Sequence, residues 1–312
     1  MRYRSAPATQ PEALANIHAE TAINAGCDGA GVKVAYMAGG IDTTLSDFQR
    51  NALFASAGSP AGSPVISDFQ DFSGDGSSAP SGDADTESFL DASSIGAQGN
   101  SVYDLSTFVN PAHPLPAGCD IRIEGDAPGA SITALKVFGA NFTTSSAFIQ
   151  AINYAVSSGV KVLNESFGGN GFPDSALDVT KLADDAAVAA GVTVVVSSGD
   201  AGISSTIGSP STDPNLISVG ASTTFRSYAQ YSFGGINAPG FGNGTYADDN
   251  ISSLSSGGFA QDGKTVDLVA PGDLNWALCS QSPTFSACGG QPIQSPGARA
   301  SLRRSPRAPR LT

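Results

Sequence analysis

No stretch of about 18 consecutive apolar residues occurs in this 312-residue chain, so nothing in it reads as a membrane-spanning helix. Basic residues are also scarce: 15 Lys and Arg stand against 28 Asp and Glu, a net charge of −13. Five of those fifteen (Arg299, Arg303, Arg304, Arg307, Arg310) crowd into the last sixteen residues, GARASLRRSPRAPRLT. Residues 1–296 therefore hold ten basic side chains against 28 acids, a net charge of −18. A nucleic-acid partner is excluded, because phosphate binding needs a basic face. The balance fits a soluble protein working in acid or outside the cell. Histidine is nearly missing, with only His18 and His113. Cysteine is limited to Cys27, Cys119, Cys279 and Cys288, and their spacing matches no zinc pattern. Two disulfides are the expectation for an exported protein. Cys279 with Cys288 would close a short loop and leave Cys27 to Cys119, although spacing does not fix the pairing. The opening MRYRSAPATQPEAL has no apolar core after its arginines, so it is no signal peptide. The chain either stays inside or is a fragment without its leader. Three sequons, at Asn141, Asn243 and Asn250, carry no weight without a host.

What is present alternates. GVKVAYM (31–37) is a short apolar run between glycines and reads as a buried strand. Residues 59–86, rich in Gly, Ser, Pro and Asp, read as loop. TESFLDASSIGAQ (86–98) has helical spacing, and SITALKVFG (131–139) is a strand. SSAFIQAINYAVSSG (145–159) and SALDVTKLADDAAVAAG (175–191) are helices closed by glycine. VKVLNES (160–166), VTVVVSSGD (192–200), LISVGAS (216–222) and TVDLVAPG (265–272) add strands. Residues 225–262 read as Gly/Ser/Asn-rich loops or hairpins. Strands alternating with helices predict an α/β fold: a doubly wound, mostly parallel sheet with helices on both faces. Function in such sheets gathers at the carboxyl ends of the strands.

Three stretches carry candidate chemistry. Glu87 and Asp91 lie four apart on a predicted helix, hence one turn apart on one face. Carboxylates that close can share a proton, which suits a general acid or base. A solvated helix face is the plainer alternative for that pair. Ser197-Ser198-Gly199-Asp200-Ala201-Gly202 follows the most apolar strand, with glycines that let the backbone bend and a ligand approach. The plainer alternative is an Asx-turn. Asn164-Glu165-Ser166-Phe167-Gly168-Gly169 also leaves a strand, and its adjacent glycines suit pairing with an extended peptide.

Taken in order, these stretches resemble the subtilisin-like superfamily of serine peptidases. GVKVAYMAGGID (31–42) resembles its first core strand, DAPGASITALKVFG (126–139) its APxAxLxxxKV strand, and VLNESFGG its substrate-binding strand. SSGDAG resembles its oxyanion loop, DPNLISVGAS (213–222) its P-x-x-I-x-V-G-A stretch, and SSGGF with VDLVAPG (255–272) the approach to the nucleophile. The common branch has Asp after the first strand, where this chain has Ala38-Gly39-Gly40, and a His-Gly-Thr-His helix that is absent here. Those departures match the sedolisin-like, or serine-carboxyl, branch. The resemblance implies a serine endopeptidase with Glu87 as base, Asp91 orienting it, and Asp200 as the oxyanion residue. It implies substrate binding by Ser166, Phe167, Gly168 and Gly169. It further implies a polypeptide substrate, a monomer, no nucleic acid or membrane partner, no cofactor, and secretion. The branch's calcium site would lie beyond the nucleophile helix, so no metal is expected. Asp42 or His113 would have to serve if the chain instead followed the common branch. A non-catalytic, peptide-binding pseudo-peptidase is the alternative of a different class.

The family's Gly-Thr-Ser-x-x-x-Pro nucleophile stretch does not occur. It should follow CGGQPIQ (288–294). Read from the third base of codon 297, the tail's codons permit Gly-Thr-Ser-Glu-Ser-Ala-Pro-Leu-Thr-Ala-Gly-Ala-Ala-Ala. The expectation is therefore a frameshift: residues 1–27 an extension or propeptide remnant, residues 28–296 an incomplete peptidase domain, residues 297–312 an out-of-frame basic tail, and the chain inactive and poorly stable.

Overall fold

The computed structural model describes residues 12–74, 86–107, 117–139, 143–169, 174–175, 177–224, 250–260, 262–273 and 275–294. His113, Asn141, Asn243 and the tail from 295 lie outside them. In chain order the elements are α1 (Glu12–Asn16), α2 (Ala19–Asn24), β1 (Lys33–Ala38), β2 (Ile66–Asp71), α3 (Glu87–Gly96), β3 (Tyr103–Asp104), β4 (Asp120–Ile121), β5 (Ser131–Lys136), α4 (Ser145–Ser157), β6 (Val162–Glu165), α5 (Val179–Ala189), β7 (Thr193–Ser197), β8 (Ile217–Ala221), β9 (Leu268–Ala270), β10 (Ala277–Leu278) and β11 (Ile293–Gln294).

Seven strands form one sheet in the order β2-β5-β1-β6-β7-β8-β9. Every pairing in it is parallel. From β1 the chain winds outward to β5 and β2 on one side and to β6 through β9 on the other, so the expected doubly wound sheet is present. Its two faces are filled differently. Tyr36, Ala134 and Ile132 pack with Phe89 and Ala92 of α3, together with Trp276 and Phe285 from the chain after β9. Ala35, Met37, Leu135 and Leu163 pack instead against Phe148, Ala151 and Ile152 of α4 and Ala187 of α5. Alternation along each strand sorts side chains to one face or the other.

Helix ends follow local chemistry. Thr144 accepts a hydrogen bond from Ala147 N, and Asp178 from Thr180 N, each capping its helix. Gly159 and Gly191 sit at positive φ just past α4 and α5. The second helix is thus shorter than the predicted 175–191, because Asp178 caps it.

Three expectations need correction. Residues 59–86 are not all loop, since Ile66–Asp71 pairs with β5. This is an edge strand with a bulge and mostly half-exposed polar residues, so it lacks the apolar run of its neighbours. The strand expected over 265–272 shrinks to Leu268–Ala270, the opposite sheet edge. Cys279 and Cys288 are disulfide-bonded, with Cα atoms 5.6 Å apart, whereas Cys27 and Cys119 are not joined. Cys27 is exposed beyond α2 and Cys119 is half-buried beside β4.

Candidate active site

A cleft of about 380 Å³ opens at the carboxyl ends of β6 to β9. Its walls bring together Glu87 and Leu90 of α3, Ser166, Phe167 and Gly168 beyond β6, Ser197 at the end of β7, and Gly199 and Asp200 beyond it. Two of the three predicted carboxylates, far apart in sequence, thus face one space. Asp91 does not line it. Only 5 % exposed, Asp91 lies below Glu87 on α3 and accepts a hydrogen bond from Ser166 Oγ at 2.7 Å. Ser166 Oγ in turn accepts from Asn164 Nδ2 at 3.0 Å.

α3 is locked where it must be to present Glu87. The chain at 125–127 runs back along its last turn, with Gly125, Asp126 and Ala127 N–H groups bonded to Ala97, Ser94 and Ile95 carbonyls. A Cβ on Gly125 would fall 2.4 Å from Gly96 N, so only glycine allows that approach. At the other end, Gln294 Nε2 donates to the Thr86 carbonyl at 3.2 Å.

The Asp200 loop is held just as tightly. Gly199 takes φ of 105°, which turns the chain sharply out of β7. Ser256 N donates to the Gly199 carbonyl, Gly202 N to the Leu254 carbonyl, and Ser256 Oγ accepts from Ala201 N. Asp200 is left exposed at the rim.

The substrate-strand residues divide. Ser166, Phe167 and Gly168 line the cleft, but the Phe167 ring stacks on Phe148, 4.5 Å between centroids, and meets Phe138 edge-on. Gly169 is not among the lining residues, and its N–H is committed to the Ser209 carbonyl at 2.8 Å. The Gly168 glycine serves the same approach, because a Cβ there would meet that carbonyl at 2.9 Å.

Residues that sequence reasoning passed over also line the cleft: Ala221, Ser252, Leu254, Ser255, Gly272 and Asp273. Asp273 directly follows the Ala-Pro-Gly stretch, and it is buried. A carboxylate placed next to a strand exit was the available signal. Asp42 lies elsewhere, in a separate cavity with Tyr103, Ser280 and Ser282. Burial acts to raise its pKa, but hydrogen bonds from Thr44 and Ser280 outweigh that and hold it below the usual range. It does not line the cleft that holds Glu87.

Among the described residues no group of three or more His, Cys, Asp or Glu is arranged to hold a metal ion. Among them, too, no helix is long and apolar enough to cross a membrane.

The family model described as "Subtilase family" matches residues 29–296. Subtilisin DY of Bacillus licheniformis is 34% identical over 146 residues, which cover 42% of this chain and 52% of that protein. Subtilisin Savinase of Lederbergia lenta is 30% identical over 257 residues, 79% of this chain and 80% of that protein. The match to subtilisin DY thus spans about half of that relative's length. Among solved structures, the prenylagaramide maturation protease PagA aligns with a TM-score of 0.51 at 16% identity, over 83% of this chain and 69% of that one. That likeness speaks to the fold alone.

Proposed function

The chain belongs to the subtilase family, and from that premise we propose that it is the scaffold of a serine endopeptidase acting on polypeptides in acid, with a sedolisin-like set of carboxyl groups. Glu87 takes the proton of a serine hydroxyl, Asp91 orients Glu87 and shares the proton, and Asp200 in its protonated form donates to the developing oxyanion. Ser166, Phe167 and Gly168 align the substrate backbone. The observation that carries this reading is the shared cleft of Glu87 and Asp200, with Asp91 buried one helical turn behind Glu87. The removal of Asp42 to another cavity weighs against the common-branch alternative. Secretion agrees with the Cys279–Cys288 disulfide. The chain works as a monomer and needs no cofactor.

The sequence contains no Gly-Thr-Ser-x-x-x-Pro, so the 312-residue polypeptide does not itself turn over substrate. A one-base correction before codon 297 that restores this motif restores hydrolysis of a denatured protein substrate at acid pH. Glu87→Gln in the corrected product then lowers kcat/KM by about 100-fold or more. Cleavage by the uncorrected product, or an undiminished Glu87→Gln enzyme, refutes the assignment. The peptide-holding alternative is favoured by a cleft that is assembled without the nucleophile. Saturable peptide binding by the uncorrected chain, with no activity gained on correction, would establish it.

A further inference from the structure

Asn164 and Ser166 are two residues apart where β6 ends, so both side chains stand on the sheet face that carries α3. Tyr36, the register partner of Asn164 on β1, packs in the core beneath that helix. The hydrogen bonds there run one way. The Asn164 amide donates to Ser166 Oγ, and Ser166 Oγ donates to Asp91 Oδ1. A hydroxyl has a single proton, and here it is spent on the carboxylate while a lone pair takes the amide's. Two bonds in series polarise one another and strengthen the terminal contact.

We propose that Asn164 and Ser166 are positioning residues: a relay from the central strand that keeps Asp91 ionised and aimed, so that Glu87 can act as the base. The proposal rests on the reading of Glu87 and Asp91 as the catalytic pair, and it gives Ser166 a role through its side chain in addition to its place beside the substrate. An ionised Asp91 one turn away stabilises the protonated form of Glu87, which makes Glu87 the better proton acceptor. Without the relay, Asp91 takes up a proton more readily and Glu87 loses that support. The substitutions leave the other titratable groups facing this spot in place. They are Tyr36 of β1, Lys136 of β5 with Asp71 of β2 at 3.9 Å, and Asp200 and Asp273 across the cleft. A serine that merely tied α3 to the sheet would loosen packing when removed, but would leave the titration of the two carboxyls alone.

The test is carboxyl-carbon NMR on the full 312-residue chain labelled at Asp and Glu, followed from about pH 2 to pH 8. In the unaltered chain Glu87 and Asp91 titrate as a linked pair in two steps. Ser166→Ala raises the Asp91 midpoint by about one pH unit and lowers that of Glu87, closing the gap between the steps. Ser166→Thr, which keeps the hydroxyl, restores it. Asn164→Ala moves both in the same directions by a smaller amount. Unmoved midpoints in Ser166→Ala overturn the relay while leaving the catalytic pair standing. Independent titration in the unaltered chain refutes the pair itself. Should Ser166→Ala fail to give a dispersed spectrum, Asn164→Ala decides, and unmoved midpoints there overturn the relay.

Discussion

On the face of β6 opposite the cleft, Glu165 points at Asp184 of α5, and both side chains are 0 % exposed. No well-formed hydrogen bond reaches any of their four carboxyl oxygens. Two buried carboxylates cannot both stay charged there. Burial pushes Glu165 well above the usual range, with Asp184 reinforcing it. Burial likewise lifts Asp184 to about 7, opposed by its interaction with Glu165 and aided by Asp213, Asp178 and Asp185. The nearby cation, Lys181, is committed to Asp174 at 2.6 Å. The folded chain therefore binds protons that the unfolded chain releases above about pH 4. Stability is fully present below that pH, falls as pH rises toward about 7, and is flat beyond for Asp184. A rise of about three pH units corresponds to about 4 kcal/mol from Asp184 alone. For a chain of this size that is a fall in Tm of about 10 °C. Thermal melts of the 312-residue chain followed by circular dichroism between pH 4 and 8 measure it directly. Glu165→Gln with Asp184→Asn replaces the pair by neutral amides and should flatten the profile over that window. A Tm that holds or climbs from pH 4 to 7, or a double variant with an unchanged slope, would refute the reasoning.

The remaining predictions concern the supports of the site. Arg50 is buried and its guanidinium donates to the Pro128 and Ala130 carbonyls, so Arg50→Ala should cost about 2–4 kcal/mol in denaturant unfolding. Reducing Cys279–Cys288, which closes a nine-residue separation, should lower stability by about 2–3 kcal/mol, read as a Tm difference with and without reductant. Gly125→Ala should disturb α3 and therefore Glu87, seen as lost amide protection in residues 87–96 by hydrogen exchange, because no shift of a flexible side chain relieves the clash with Gly96 N. Phe167→Ala should destabilise by about 2–3 kcal/mol through loss of its contacts with Phe138 and Phe148, measured in the same denaturant unfolding.

Much of the sheet was legible because its central strands are apolar runs closed by glycine, the pattern that two covered faces impose. β2 was hidden because an edge strand buries little and can be polar. The placement of Glu87 and Asp91 one turn apart on one helix was visible in the spacing. The meeting of Glu87 with Asp200 was not, since it depends on β6 lying beside β1 and β7 beside β6. The resemblance of motifs supplied that step. The packing of Phe167 was hidden for a simpler reason: sequence shows a residue next to bare glycines, and only the fold shows its ring meeting Phe138 and Phe148 while the residue also lines the cleft. Glu165 had a readable signal that went unused. It lies two residues from Leu163 on a strand covered on both sides, so a carboxyl there must be buried.

That placement links the two faces of β6. Asn164 and Ser166 serve the cleft on one side, while Glu165 between them meets Asp184 on the other. Ionisation of Glu165 puts charge into the core directly beneath Ser166, which donates to Asp91, and Asn164, which donates to Ser166. The strand bridges β1 and β7, so it cannot shift toward solvent without breaking both pairings. A carboxyl base needs an acid medium to be matched to its task, and this core needs one to stay neutral. On the proposed reading, the pH range in which the cleft works and the range in which its floor is sound are thus set by residues adjacent on one strand. Neutralising Glu165 and Asp184 should extend the fold's upper pH limit while leaving the proposed acid requirement of the cleft where it was.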